Sequence, residues 1–234
     1  MVLFMSNYIE VIAVVEGKTE QIFIESVLNP YLANKNIFMR ATQVSKPGQK
    51  GGDIRFVRAQ KDIGLHLKQR KNTYITTFFD YYGAKEWPGL DTVPTNASPQ
   101  QIAEHINTAT AKKVNELFEA QRAEKRFIPY IAVHEFEALL FSDSEVLADK
   151  LGILQTEITA VLESCGEPEA INNNPSTAPS KRLDSWAETK KFPKTTQGIA
   201  IAREIGIEKM RDKCPQFNAW ILRFEAILED QDET

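Results

Sequence analysis

Cysteine is scarce in this 234-residue chain: Cys165 and Cys214 stand far apart, without CxxC spacing or a neighbouring histidine. That excludes a disulfide framework and a zinc site, and it fits reduced structural thiols in a cytoplasmic setting. Long apolar runs are missing too. No stretch approaches the ~18 residues of a membrane span. The apolar start lacks the positive flank and small-residue cleavage site of a signal peptide, so the chain reads as soluble. Positive charge is not in excess: the formal net charge is −4. This argues against coating nucleic acid through bulk charge, but not against an enzyme that acts on it. Gly48, Gly51 and Gly52 are followed by no GK[ST], so there is no Walker motif and no expectation of ATP hydrolysis. There is no internal repeat.

What is present is an ordinary globular composition, 42% hydrophobic and 26% charged, long enough to bury a core. Residues 8–15 (YIEVIAVV) are a near-continuous β-branched run, the pattern of a strand buried on both faces. It ends at Glu16-Gly17-Lys18-Thr19, after which Ile22, Phe23, Val27 and Leu28 recur at helical spacing. Residues 37–44 predict a second strand. After a Gly- and Lys-rich loop, Asp53 is placed to cap a helix reaching about residue 70. Residues 74–79 (YITTFF) predict a third strand ending at Asp80. A proline-bearing loop then leads to a long helix over about 99–126, and residues 128–133 (IPYIAV) predict a fourth strand running into His134-Glu135-Phe136-Glu137.

Alternation of strand and helix predicts an α/β fold, a three-layer sandwich with a mostly parallel sheet between helices. Beyond Ser142 the polar stretch 166–182 reads as a loop or lid, and apolar helices close the chain. Residues 143–234 are expected as a helical cap on a core of residues 1–142, or the two as one single domain.

In such sheets ligands bind beyond the carboxyl ends of the strands. Three of the four expected strands deliver acids there: Glu16 with Glu20, Asp80, and the Glu135/Glu137 pair. Carboxylates are the oxygen ligands that Mg2+ and Mn2+ take, and phosphodiester chemistry uses such ions. Each residue also has a bland reading. Glu16 can simply favour the helix dipole. Glu20, one turn on, is either a second ligand or solvated. Asp80 can merely cap a turn. Glu135 and Glu137 share a face if the segment is extended and diverge if it is helical. His134 is a base, a ligand or a hydrogen-bonded structural group. Lys46, Lys50, Lys181, Arg182 and Lys194 carry groups that match phosphate oxygens, although surface lysines are usually only solvated. Asn172 reads as a lid or structural residue. Tyr81 and Tyr82 read as packing or substrate-stacking groups.

VEGKTE at 15–20 resembles the opening motif of the Toprim fold, found in topoisomerases, primases and overcoming-lysogenization-defect (OLD) nucleases. Asp80-Tyr81-Tyr82-Gly83 falls where that fold carries paired aspartates. The whole chain resembles the bacterial domain-of-unknown-function family 4276, itself considered Toprim-like. The resemblance runs through VEGKTE, FFDYYG, RFIPYIAVHEFEALLF, EPEAINNNPSTAPSKRL, KFPKTTQG and KCPQFNAWI.

The resemblance implies a Toprim-like core with Glu16 as metal ligand or general acid/base and Asp80 as the first aspartate of the metal-binding pair. It also marks Lys181, Arg182 and Lys194 as phosphate-binding residues. Tyr82 occupies the place of the second aspartate, and a phenol with a pKa near 10 is a poor Mg2+ ligand. Glu135 or Glu137 would have to supply the missing carboxylate. The expected activity is a Mg2+- or Mn2+-dependent nuclease on DNA or RNA, with a separate ATPase partner in bacterial (phage) defence or repair. The alternative is a Toprim-fold binding or scaffold module without chemistry. A phosphotransfer reaction on a small molecule is a weaker third expectation.

Overall fold

The computed structural model describes residues 7–45, 54–133, 135–171 and 176–232. Strand β1 (Ile9–Val15) is buried along almost its whole length, as its β-branched run dictates. A crossover follows as one continuous rod: α1 (Lys18–Phe23), a π-helical turn (Ile24–Leu28) and α2 (Asn29–Ala33). It returns the chain to β2 (Ile37–Gln43). Next come β3 (Ile54–Arg55), α3 (Phe56–Gln69), β4 (Thr73–Asp80) and β5 (Ala84–Lys85). Helix α4 (Pro99–Leu117) starts with a capping box, in which Gln101 N–H donates to Ser98 Oγ and Ser98 N–H donates to Gln101 Oε1. Then follow α5 (Ala123–Arg126), β6 (Phe127–Ile128) and β7 (Ile131–Ala132). The rest is helical: a 3-10 stretch (Phe136–Ser142), α6 (Ser144–Leu151), α7 (Gln155–Cys165), α8 (Pro179–Trp186), a π turn (Lys194–Gly198), α9 (Ile199–Ile205), α10 (Ile207–Lys213) and α11 (Pro215–Asp232).

The main sheet is parallel in the order β2-β1-β4-β6, with β7 also pairing with β4. Alternate residues of β1 sort to opposite faces, as the two-residue period of a strand requires. Val11, Ala13 and Val15 pack with α1, the π turn, α2 and the C-terminal helices; Ile12 and Val14 pack with α3 and α4. The sheet is therefore the middle of three layers. One buried cluster joins that sheet face to Leu147, Ile201, Met210, Trp220 and Phe224, so the C-terminal helices complete the core that the sheet begins. Phe23 is fully buried against Phe78, Phe136 and Phe217 at the centre of this layer.

Three local expectations change. The helix expected from Asp53 begins at Phe56, because buried Ile54 first pairs in parallel with Ala84 in a two-stranded sheet; Asp53 itself lies outside the described residues. The helix expected over 99–126 breaks after Leu117, where Arg122 turns the chain through φ +57°. The strand expected at 128–133 is split, since Pro129 has no N–H for the ladder. Thr77 bridges the gap: its hydroxyl accepts from Tyr130 N–H at 2.9 Å and donates to Tyr130 C=O at 3.0 Å.

Buried Arg126 ties these pieces together. Its guanidinium donates to the carbonyls of Leu67, Arg70, Thr73 and Gln121, satisfying groups at the end of α3 and the start of β4.

Candidate active site at the carboxyl edge of the sheet

The chain leaves β1 toward β2 on one side and later enters β4 on the other, so the strand order reverses between β1 and β4. Backbone diverges to both sides there and leaves a crevice beyond the strand ends. Glu16 follows the last residue of β1, and Asp80 is the last residue of β4.

Glu20 sits in the first turn of α1 and reaches back so that its Oε2 accepts Gly17 N–H at 3.0 Å. It therefore caps the helix, which was not among its expected roles, and burial together with the charge of Glu16 still raises its pKa. Asp80 Oδ1 accepts Tyr82 N–H at 3.0 Å, closing the turn after β4. Burial first, then the negative charges of Glu135, Glu16 and Glu137, push the Asp80 carboxyl up to about 7. Gly83 ends this turn directly beneath Glu16: a Cβ there would stand 2.9 Å from Glu16 Oε2. The glycine is what lets the two strand ends share the crevice.

Glu135 and Glu137 arrive from the segment after β7. Glu135 has φ +56° and ψ 158°, a region that side chains other than glycine rarely occupy. Its carboxylate accepts Ser180 N–H at 2.9 Å and Ser180 Oγ–H at 2.8 Å. It thus holds the N-terminal turn of α8 against the site. Glu137 is buried at 2% exposure, anchored by its apolar neighbours Phe136, Leu139 and Leu140. Its pKa is raised by burial, with Lys194 opposing and Glu135 adding to the shift. The Lys194 ammonium forms an ion pair with Glu137. Burial pulls the Lys194 pKa down, but the charges of Glu137, Glu135 and Glu20 more than offset it, and it ends above its ordinary value.

The structure therefore brings Glu16, Glu20, Asp80, Glu135, Glu137 and Lys194 within mutual electrostatic reach. It does not bring all the expected cations with them. Lys181, exposed on α8, lies 3.9 Å from Asp184, and Arg182 Nε donates to Thr177 C=O. Lys46, Lys50, His134 and Asn172 lie outside the described residues. Among the described residues, no three His, Cys, Asp or Glu side chains are arranged to hold one metal ion. The acids are neighbours around a crevice rather than a closed cage.

Two contributors escaped sequence reasoning. Ser180 had a faint signal, a hydroxyl residue just after a proline suited to start a helix. Gly83 was visible as a turn residue, but its contact with Glu16 spans 67 positions and only the fold reveals it.

Fold and crevice together define a parallel three-layer α/β protein with an acidic cluster at its strand-order switch. Residues 15–225 match the family described as "Domain of unknown function (DUF4276)", and the chain belongs to that family. No curated protein and no solved structure matches it.

Proposed function

We propose that this protein is a Mg2+- or Mn2+-dependent phosphodiesterase, a Toprim-like nuclease acting on DNA or RNA. The observation that carries the reading is the gathering of five carboxylates from three chain segments at the switch point of a parallel sheet, with one ammonium among them. The donor set fits such an ion: every candidate ligand is a carboxylate oxygen. The repulsion that helps raise Asp80 to about 7 is the kind a divalent cation relieves. The absence of a three-ligand cage among the described residues limits the fit. Asp80 and Glu16, at the ends of β4 and β1, would be the first carboxylates to hold such an ion.

When bound, such an ion supplies charge neutralisation at the phosphate and an activated water. The chain's own residues do the rest. Asp80 must lose its proton to act as a ligand, so metal affinity should rise with pH through about 7. Glu16, packed over Gly83, is placed to accept or donate a proton at the strand edge. Lys194 can trade its contact with Glu137 for a phosphate oxygen. Lys181 and Arg182, on the helix that Glu135 anchors, are assigned to the substrate backbone further out. A separate ATPase would serve as partner in a bacterial defence or repair system, because no nucleotide-binding motif was found in this sequence.

A second reading, a binding scaffold without chemistry, draws on two observations. Tyr82 stands where paired aspartates would require an acid, and both Glu135 oxygens are engaged by Ser180.

Titration calorimetry with Mn2+ on wild type, Glu16→Gln and Asp80→Asn separates the two. The nuclease reading expects saturable binding, weakened at least about tenfold in each folded variant, a loss of roughly 1.4 kcal/mol. It also expects Mn2+-dependent cleavage of DNA or RNA by the wild type. A folded wild type that binds no metal at millimolar concentration leaves the scaffold.

A further inference from the structure

The turn after β4 carries two tyrosines next to the acidic crevice, and its backbone is pinned at three points. Tyr81 N–H donates to Ala132 C=O of β7 at 2.9 Å, Gly83 C=O accepts Ile54 N–H of β3 at 3.4 Å, and Asp80 Oδ1 accepts Tyr82 N–H at 3.0 Å. The side chains therefore stand on a fixed frame. Tyr81 is half-buried and packs on the core that α3 and α4 share with the sheet. Tyr82 meets it edge to face, with ring centroids 4.8 Å apart and planes at 75°, and keeps 45% of its surface exposed. Packing accounts for Tyr81 but not for Tyr82.

A metal-ligand role does not account for Tyr82 either. Burial, the neighbouring Tyr81 and the charge of Asp80 raise its phenol above the ordinary value, so the ring stays neutral near neutral pH. What an exposed, neutral and rigidly mounted ring offers beside a phosphate site is a π surface. Nucleobases are the groups of a nucleic acid that take one, and each base–aromatic stack is worth on the order of tenfold in affinity or more. In a duplex the base faces cover one another, so only an unpaired base can reach Tyr82. The charge balance gives such a contact weight. The chain carries a net −4, Lys194 is paired with Glu137, Lys181 lies near Asp184, and Arg182 Nε donates to Thr177 C=O. Stacking adds affinity that these engaged cations do not supply through phosphate contacts alone.

Resting on the phosphodiesterase reading, we propose that Tyr82 is a specificity-determining residue of the crevice: it stacks on an unpaired base beside the bound phosphate and so selects single-stranded DNA or RNA over duplex. Asp80 and Tyr82 are two residues apart on one pinned turn. That turn therefore reads two features of one substrate, a phosphate through the Asp80 carboxylate and its ion, and a base through the Tyr82 ring. Tyr81 is the support on which the ring stands.

The probe is one short oligonucleotide sequence carrying 2-aminopurine and a terminal fluorophore, used as a single strand and as a blunt duplex, with Ca2+ replacing Mn2+ to limit cleavage. Anisotropy reads binding by the full chain, and quenching of 2-aminopurine reads stacking. Wild type should bind the single strand at least about tenfold more tightly than the duplex, with added quenching. Tyr82→Ala should lose at least about tenfold on the single strand, change little on the duplex and abolish the added quenching. Tyr82→Phe and Tyr82→Trp should keep both. Mn2+ affinity by calorimetry should be unchanged in Tyr82→Ala, because Asp80 bonds to the backbone N–H and not to the ring. Equal affinity for the two forms, an equal loss on both, or a Tyr82→Ala variant as tight as wild type overturns the proposal. Loss of Mn2+ binding in Tyr82→Ala overturns it in favour of a turn that only positions Asp80. A wild type that binds Mn2+ but neither oligonucleotide overturns it and leaves the metal site standing. Single-strand preference that depends on Tyr82, in a protein that binds no Mn2+, sustains it and sinks the metal reading instead.

Discussion

Asp80 and Glu169 are both carboxyls pushed up to about 7, both chiefly by burial, yet their surroundings have opposite character. Glu169 is surrounded by donors. Its two oxygens accept the N–H groups of Gln216 and Phe217 in the first turn of α11, and the Tyr130 hydroxyl also bonds to it. Asp80 accepts from the Tyr82 N–H, and three acids raise its pKa further. The first arrangement is what a helix end asks of a capping side chain. The second gathers negative charge, against which Lys194 is set among the described residues. Glu167 adds a like charge at Glu169 as well, so the two carboxyls differ in how many donors each accepts from and how many acids surround it.

Four experiments bear on that contrast, and the largest effect belongs to the structural side. Glu169→Ala should cost about 3 kcal/mol in urea unfolding, by orphaning two helix N–H groups and the Tyr130 hydroxyl. A loss under about 1 kcal/mol would mean that Glu169 is no cap and the contrast is wrong.

Lys194→Met comes next. It leaves buried Glu137 without its cation and should cost about 2 kcal/mol at pH 8, shrinking at pH 5 as Glu137 takes a proton. Equal losses at both pH values would remove Lys194 from the charge balance of the crevice.

Asp80→Asn should instead stabilise the metal-free protein. The folded pKa of Asp80 is raised from 3.8 to about 7, so its contribution is fully present below about 3.8 and lost as pH rises through about 7. The variant should therefore match wild type near pH 4 and exceed it at pH 8 by roughly 1–2 kcal/mol, less than half of the ~4 kcal/mol that the full shift corresponds to, because solvent at the strand edge screens the repulsion. Thermal melts across that range decide the matter, and a variant less stable than wild type at pH 8 would turn Asp80 into a structural residue. The smallest expected effect is Gly83→Ala, about 0.5 kcal/mol of stability. Because its Cβ displaces the Glu16 carboxylate, Mn2+ affinity should nevertheless fall about tenfold, and unchanged affinity would detach Glu16 from the ion.

Much of the fold was legible because its signals are local. The β-branched runs became β1, β2 and β4, and the alternation of elements became a parallel three-layer sheet. The split at Pro129 and the short β3 were hidden, since one depends on Thr77 substituting for a ladder bond and the other on a partner 30 residues away. Of the site, the acids could be named because strand ends announce themselves. Glu20 as a cap, Glu135 as the clamp on Ser180, and the engagement of Lys181 and Arg182 elsewhere depend on neighbours distant in sequence.

The sequence by itself determined which residues are apolar enough to form the sheet and which acids stand at its strand ends, because periodicity and composition act over a few residues. Only the tertiary structure decided which of those acids repel one another, which are tied down by backbone N–H groups, and that Lys194 reaches them. Those properties come from burial and from charge separations of a few ångströms, and only the folded chain sets them.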